Sequence, residues 1–292
     1  MDPQPSYETF FGFGERPFSL TPDPKYYFRS RSHSRALDAL TAGLAQREHL
    51  LLVTGDLGVG KTTLGRMFID VLERKTRAAL VGNSLLSPED LLRILLPGLG
   101  AIEKDEVSRG RLAASTRTEL QQMLNKFLLD LQSSKDGAVL IIDEAHSLPP
   151  ATKEQVVEIV ALVSNRDRVI QFLLAGQPSL GGASILPPMK DERLMARARL
   201  QPLERDECEK YIVHRLAIGG GNAVTFNTEA IEVIYTLSGG VPRLVNLLCE
   251  RALQEAANAQ ANRVEPKMIQ SAASALDLIR LRPKRFRWYG TR

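Results

Sequence analysis

Short apolar runs alternate with helix-like segments over the first two thirds of the chain. The runs that predict buried strands are Leu50–Val53, Ala78–Val81, Ala138–Ile142 and Val169–Ala175, with Arg199–Leu203 as a short fifth strand. The segments between them repeat apolar residues at helical spacing, as Leu37, Leu40 and Leu44 do. Strands that alternate with helices predict an α/β fold with a parallel five-stranded sheet, helices on both faces, and a ligand site at the carboxyl ends of the strands.

The pattern changes near Glu204, after which the spacing predicts helices alone. These helices are 205–217, 228–237, 242–259 and 266–278. The chain is therefore divided into an N-terminal arm, an α/β core, a small helical domain and a C-terminal tail. Their bounds are 1–35, 36–203, 204–278 and 279–292.

The N-terminal arm is rich in aromatic residues and proline, and prolines at this density oppose a long helix. We expect the arm to run in an extended form over the α/β core, with its aromatic rings packed down. One of these rings, with Phe18 as the candidate, would also suit a stacking contact with a nucleobase. Packing alone is the competing interpretation, because burial explains most aromatic side chains.

Composition is that of an ordinary soluble globular protein, with 292 residues of which 43% are hydrophobic and 25% charged. The net charge of +4 is small, but basic and aromatic residues concentrate in 280–292. That tail suits contact with DNA or an anionic membrane surface, and a solvated terminus without a partner is the alternative. We find no signal peptide and no apolar run of roughly 18 residues, so we expect a cytoplasmic protein.

A glycine-rich loop lies between the first predicted strand and a helix-favouring segment, and fits the pattern G-x-x-x-x-G-K-[ST]. Its glycines let backbone N–H groups wrap a phosphate chain, and the N-terminus of the following helix favours the same anion. The pattern predicts an ATP site in which Lys61 reaches the β- and γ-phosphates and Thr62 holds Mg²⁺. The loop residues are Gly55, Asp56, Leu57, Gly58, Val59, Gly60, Lys61, Thr62 and Thr63.

An acidic pair, Asp143 and Glu144, directly follows the apolar run 138–142 and fits the Walker B pattern. Asp143 would hold the magnesium shell, and Glu144 would polarise the attacking water. Acids that cap helices after strands are common, so the pair gains its meaning from the phosphate-binding loop about 80 residues upstream. Together the two motifs predict binding and hydrolysis of Mg-ATP.

These motifs and several other segments resemble the AAA+ ATPases of the general secretion pathway protein A family, also called the ExeA family, over residues 7 to about 278. The segments specific to that family are Leu20–Pro24 and Gly176–Pro178, whereas Walker motifs are shared by far more families. Further matching segments are Tyr7–Gly12, Leu86–Leu92, Asp143–His146 and Gly240–Cys249. The resemblance implies a P-loop NTPase with a RecA-like AAA+ core, followed by a helical lid at 204–278.

The resemblance also implies roles for residues outside the two motifs. Asn83 matches the polar residue that restrains the Walker B glutamate, and Gln177 matches the sensor-1 position. Arg243, in Gly-x-Pro-Arg, matches sensor 2, which reaches from the lid to the γ-phosphate. Arg193 matches an arginine that is offered to a neighbouring subunit, with Arg197 as the alternative, so hydrolysis would depend on assembly.

We therefore expect an ATPase that forms a homo-oligomer, as a ring or a filament, and binds Mg-ATP between subunits. By resemblance its partners would be proteins of a secretion or cell-envelope machine, at the inner face of the cytoplasmic membrane. Two alternatives stay open: an ATP-dependent DNA-binding assembly factor of the transposition-ATPase type, and a nucleotide-gated scaffold with little hydrolysis. Response to duplex DNA tests the first, and the turnover of a Glu144→Gln variant tests the second.

Overall fold

The computed structural model describes residues 6–83, 85–134, 136–164, 170–178, 195–220 and 224–277. The chain divides into two compact units. Arg29–Gln201 form the α/β unit, and the described residues up to Phe28 and from Pro202 form the helical unit. No helix in these ranges has the length and apolar character that crossing a membrane requires.

The strands of the α/β unit form one parallel sheet. They are β1 (Leu50–Thr54), β2 (Thr76–Val81), β3 (Gly137–Ile142), β4 (Ile170–Gly176) and β5 (Met195–Arg199). Their order across the sheet is β2-β3-β4-β1-β5. The central strands β3 and β4 are almost wholly apolar, as strands covered on both faces should be. This confirms the predicted fold class and brings the carboxyl ends of β1, β3 and β4 to one edge.

Helices flank the sheet and build most of the second unit. In chain order they are α1 (Tyr7–Phe11), α2 (Arg31–Ala45), α3 (Lys61–Asp70), α4 (Pro88–Gly98), α5 (Lys104–Ser108), α6 (Arg111–Ala114), α7 (Arg117–Ser134), α8 (Pro150–Ser164), α9 (Arg205–Gly219), α10 (Thr228–Ser238), α11 (Pro242–Asn258) and α12 (Pro266–Ala275). Short 3₁₀ turns lie at Pro24–Tyr26 and Ala145–Ser147.

The fifth strand lies earlier than predicted. The sequence pattern places it at Arg199–Leu203, whereas β5 ends at Arg199 and pairs in parallel with β1, with Leu52 opposite Arg197. β5 is the edge of the sheet, and in it small residues alternate with arginines. An edge strand with one solvated face lacks the continuous apolar run that marks the central strands, so β5 does not stand out in the sequence pattern.

The helical unit contains more than helices. Two short strands, β6 (Thr225–Phe226) and β7 (Arg263–Val264), pair in parallel within it. Strands of this length carry no detectable periodicity, so the prediction of helices alone was wrong at this point. The core of the unit is built on α11, whose buried residues recur every three or four positions: Val245, Leu248, Cys249, Ala252, Leu253 and Ala256.

The aromatic part of the N-terminal arm, up to Phe28, belongs to the helical unit. Its aromatic residues join one hydrophobic cluster with α9, α10 and α11; they are Tyr7, Phe11, Phe13 and Phe18. The Tyr7 hydroxyl donates to Glu250 Oε2 at 2.7 Å. Burial is the main cause that raises the pKa of Tyr7, and this hydrogen bond raises it further. The arm is also not extended throughout, because Ser6 caps α1 and Gly12 ends it in a left-handed conformation.

Candidate nucleotide-binding site

The loop from β1 to α3 has the backbone shape that a phosphate-binding loop needs. Gly58 and Gly60 adopt positive φ angles of 81° and 106°, and α3 begins at Lys61, directly after Gly60. A Cβ added to Gly60 would lie 2.8 Å from His33 Nε2. The loop therefore requires glycine at this position both for its dihedral angle and for space.

Lys61 lies inside this loop and is only 4% exposed. Its Nζ donates to the carbonyl oxygens of Gly55 at 3.0 Å and Asp56 at 3.1 Å, and lies 3.8 Å from Glu144 Oε1. The ammonium group is thus aimed into the curve of the loop, where a phosphate chain would be wrapped by backbone N–H groups.

The two predicted motifs meet through a direct contact between their side chains. The Thr62 hydroxyl donates to Asp143 Oδ2, and Asp143 is buried at the end of β3. The strand order explains this contact, because β4 lies between β3 and β1 and all three strands end at the same edge of the sheet. Hydroxyl and carboxylate oxygens are the donors that Mg²⁺ prefers, so these two residues fit the magnesium role predicted for them.

Glu144 follows Asp143 in a left-handed conformation, with φ 48° and ψ 38°. Its N–H donates to Asp143 Oδ1 at 2.9 Å, and its carbonyl accepts from Ser147 N at 2.8 Å. The carboxylate is about one third exposed and faces Lys61. The structure therefore brings together Lys61, Thr62, Asp143 and Glu144, all four within the α/β unit.

Two further predicted residues lie at the same edge of the sheet. Gln177 comes directly after the last residue of β4 and is exposed. Asn83 follows β2, and its Oδ1 accepts from Leu85 N at 3.0 Å. In the described part of the chain, Asn83 and Glu144 do not hydrogen-bond to each other, so the expected restraint of Glu144 by Asn83 is not formed in this conformation.

The other predicted residues lie in the helical unit, in β5 or outside the described residues. Arg243 is the second residue of α11, in the helical unit, and its side chain is exposed. Phe18 is 1% exposed and packs edge-on against Phe226 in the helical unit, which favours the packing interpretation because its buried ring offers no face to a nucleobase. Arg197 is exposed in β5. Arg193 and the basic tail 280–292 lie outside the described residues.

Two histidines that the sequence patterns left unassigned lie beside the motifs. His33, near the start of α2, has its Nδ1 2.7 Å from Ser30 Oγ and its Nε2 against Gly60. His146 follows Glu144 in the 3₁₀ turn, with its Nδ1 3.4 Å from Glu144 Oε2. The spacing of possible metal ligands along the chain could not predict either contact, because both contacts form only in the folded protein. In the described ranges, no three His, Cys, Asp or Glu side chains are grouped as a metal site.

Comparison with known proteins agrees with this geometry. Residues 44–182 match the AAA domain family. The chain is 34% identical over 250 residues, 85% of its length, to general secretion pathway protein A of Aeromonas hydrophila, and this match covers 44% of that relative. The chain therefore spans less than half of the relative's length.

Solved structures of other proteins share the fold. Drosophila ORC bound to DNA matches with a TM-score of 0.70 and 16% identity, over 94% of this chain and 66% of that one. The Aeropyrum pernix ORC1 protein in complex with DNA matches with a TM-score of 0.67 and 17% identity, over 90% and 70% of the two chains. Identities this low establish the architecture alone. The family match and the sequence relative above are what make the chain an AAA+ P-loop protein similar to general secretion pathway protein A.

Proposed function

We propose that this protein binds Mg-ATP through the phosphate-binding loop and hydrolyses it to ADP and phosphate. The observation that carries the proposal is the contact between Thr62 and Asp143, which joins the two halves of a nucleotide site. Lys61 would bind the β- and γ-phosphates, and Thr62 and Asp143 would hold Mg²⁺. When bound, the ion supplies charge neutralisation between the phosphate oxygens.

The proton chemistry of the proposed reaction belongs to Glu144. Phosphoryl transfer requires little covalent help from the protein, so positioning and charge supply most of the catalysis. Glu144, one residue past Asp143 and 3.8 Å from Lys61 Nζ, is placed to orient a water toward the γ-phosphate and accept its proton. Gln177, Asn83 and Arg243 keep the sensor and switch roles that the family resemblance implies.

We further propose that the site is completed between subunits of a cytoplasmic homo-oligomer. Arg193, or Arg197 in β5, would reach the γ-phosphate of a neighbour and add positive charge in the transition state. The similarity to general secretion pathway protein A supports a partner in a secretion or envelope machine, at the inner face of the membrane. ATP turnover would drive assembly or remodelling of that machine.

Two variants test the ATPase proposal. Lys61→Ala should lose ATP binding, whereas Glu144→Gln should keep ATP binding and lower kcat by about 100-fold or more, because an amide cannot accept the proton of the attacking water. Binding is measured with a fluorescent ATP analogue, and turnover by phosphate release with and without EDTA. Glu154→Gln, on an exposed position of α8, is the matched control and should turn over ATP normally. Unchanged turnover in Glu144→Gln would support the nucleotide-gated scaffold instead.

A DNA-binding assembly factor is the second candidate function. The basic and aromatic tail 280–292 favours it, and two proteins of the same fold have been solved with DNA. Duplex DNA added to the turnover assay distinguishes the two functions. Stimulation that fades with rising salt would favour the DNA role, and a rate indifferent to DNA at low salt would remove it.

A further inference from the structure

The backbone of Glu144 is held so that only its side chain is free to turn. A residue other than glycine persists in the left-handed region when its surroundings over-determine it. Here Asp143 Oδ1 accepts from the Glu144 N–H, and Ser147 N donates to the Glu144 carbonyl. The direction of the carboxylate is therefore decided by what its two oxygens contact.

Those two oxygens face different partners. Oε1 lies 3.8 Å from Lys61 Nζ, and Oε2 lies 3.4 Å from His146 Nδ1. Lys61 also donates to two loop carbonyls, and in the proposed reaction its ammonium serves the phosphates. A group shared with the substrate is a poor fixed support for a general base. His146 lies in the same tight turn as Glu144, and the proposed reaction does not use it to bind the phosphates.

His146 has an unused hydrogen-bonding atom at this point. Its Nδ1 is buried and, within the described ranges, has no hydrogen-bond partner. A buried polar atom without a partner is unfavourable, so a nearby acceptor stabilises the Nδ1–H group. At 3.4 Å, a small rotation of the Glu144 side chain would complete the bond. Such bonds are often long in the free enzyme and tighten when substrate binds.

We propose that His146 is a positioning residue for Glu144. The imidazole carries its proton on Nδ1 and donates it to Oε2, so that Oε1 is left to face the attacking water once Lys61 turns to the phosphates. The inference rests on the proposed function, since it requires Glu144 to act on water. It assigns to His146 the orienting contact with Glu144 that Asn83 does not make in this conformation.

A pair of substitutions at His146 distinguishes a role of Nδ1 from a role of Nε2. The amide nitrogen of His146→Asn stands as many bonds from the backbone as Nδ1, whereas that of His146→Gln reaches the position of Nε2. His146→Asn should keep kcat within about twofold, and His146→Gln should lower it on the order of tenfold, because a misdirected base loses near-attack geometry. KM for ATP should stay unchanged in both, since the phosphate-binding loop is intact.

The same pair in a Glu144→Gln background tests whether His146 acts through Glu144. There His146→Gln should lower kcat no further. A full additional loss in that background would overturn the inference, as would equal rates for His146→Asn and His146→Gln. A parallel fall in ATP binding or unfolding midpoint for His146→Gln would also overturn it, because His146 would then have a structural role. If Glu144→Gln alone leaves turnover intact, the proposed function fails, whatever His146 does.

Discussion

Gly60 links the shape of the phosphate-binding loop to the start of α3. Its φ of 106° lies beyond the left-handed region that asparagine or aspartate tolerates, and His33 occupies the space that a side chain would need. The next residue is Lys61, so any backbone adjustment at Gly60 moves the ammonium group as well. Conformation and chemistry are therefore coupled at this single residue.

Gly60→Ala should remove most ATP binding and lower the free energy of unfolding by about 1–3 kcal/mol through backbone strain. Gly82→Ala is the matched control, because Gly82 has an ordinary φ and open space around its Cβ position. It should leave stability unchanged or slightly higher, since alanine restricts the unfolded chain. Urea unfolding and nucleotide titration measure both effects. Normal ATP binding by Gly60→Ala would contradict the importance of this dihedral angle.

At the residue scale, the predicted nucleotide-site residues follow from spacing along the chain. The phosphate-binding loop and the acidic pair are local patterns, and the parallel sheet then brings Thr62 to Asp143. The contact of His146 with Glu144 was not predictable in the same way. It depends on the left-handed backbone at Glu144, which turns the side chain toward His146 and which no spacing rule encodes.

At the scale of elements, the N-terminal arm is fastened to α9 by one buried arginine. Arg215 is 6% exposed and donates to the carbonyls of Pro17 and Ser19 and to the hydroxyl of Tyr211. Its guanidinium also lies 4.4 Å from the ring centroid of Tyr26. The arm carbonyls are thus satisfied by a planar group with several donors, and the aromatic ring supplies a cation–π contact.

Arg215→Met should destabilise the helical unit by about 2–4 kcal/mol, because it leaves buried arm carbonyls without donors. Arg205→Met is the matched control at the start of the same helix, where the arginine is exposed and pairs with Glu232. Its effect should be small, as for surface ion pairs in general. Urea unfolding gives both values, and limited proteolysis reports release of the arm. Equal effects of the two substitutions would contradict a fastening role for Arg215.

The arm also marks the limit of element-scale prediction. The aromatic content of the arm correctly predicted that its rings are buried. The hydrophobic effect is not directional, however, so the sequence could not identify which helices cover the rings. The partner is α9 to α11, selected by contacts such as Tyr7 with Glu250 that join residues far apart in sequence. β5 shows the same limit, since its place beside β1 follows from pairing and not from its own apolar content.

At the scale of the whole molecule, the proposed function assigns the phosphate-binding, metal-binding and water-orienting roles to residues of the α/β unit and adds an arginine from a neighbour. If that arginine is required, turnover per subunit should rise with protein concentration as the oligomer forms. Light scattering on the same samples gives the oligomer size. A constant rate from a monomer would mean that one chain completes its own site.

Mixing two inactive variants tests the shared site directly. Arg193→Ala should bind ATP but not turn it over, and Lys61→Ala should lack ATP binding but still offer its arginine. A mixture of equal amounts should recover about a quarter of wild-type activity, because half of the subunits keep Lys61 and half of those meet a neighbour with Arg193. Arg197→Ala in place of Arg193→Ala decides between the two arginines. If neither mixture recovers activity although the two variants co-purify in one oligomer, neither Arg193 nor Arg197 acts between subunits.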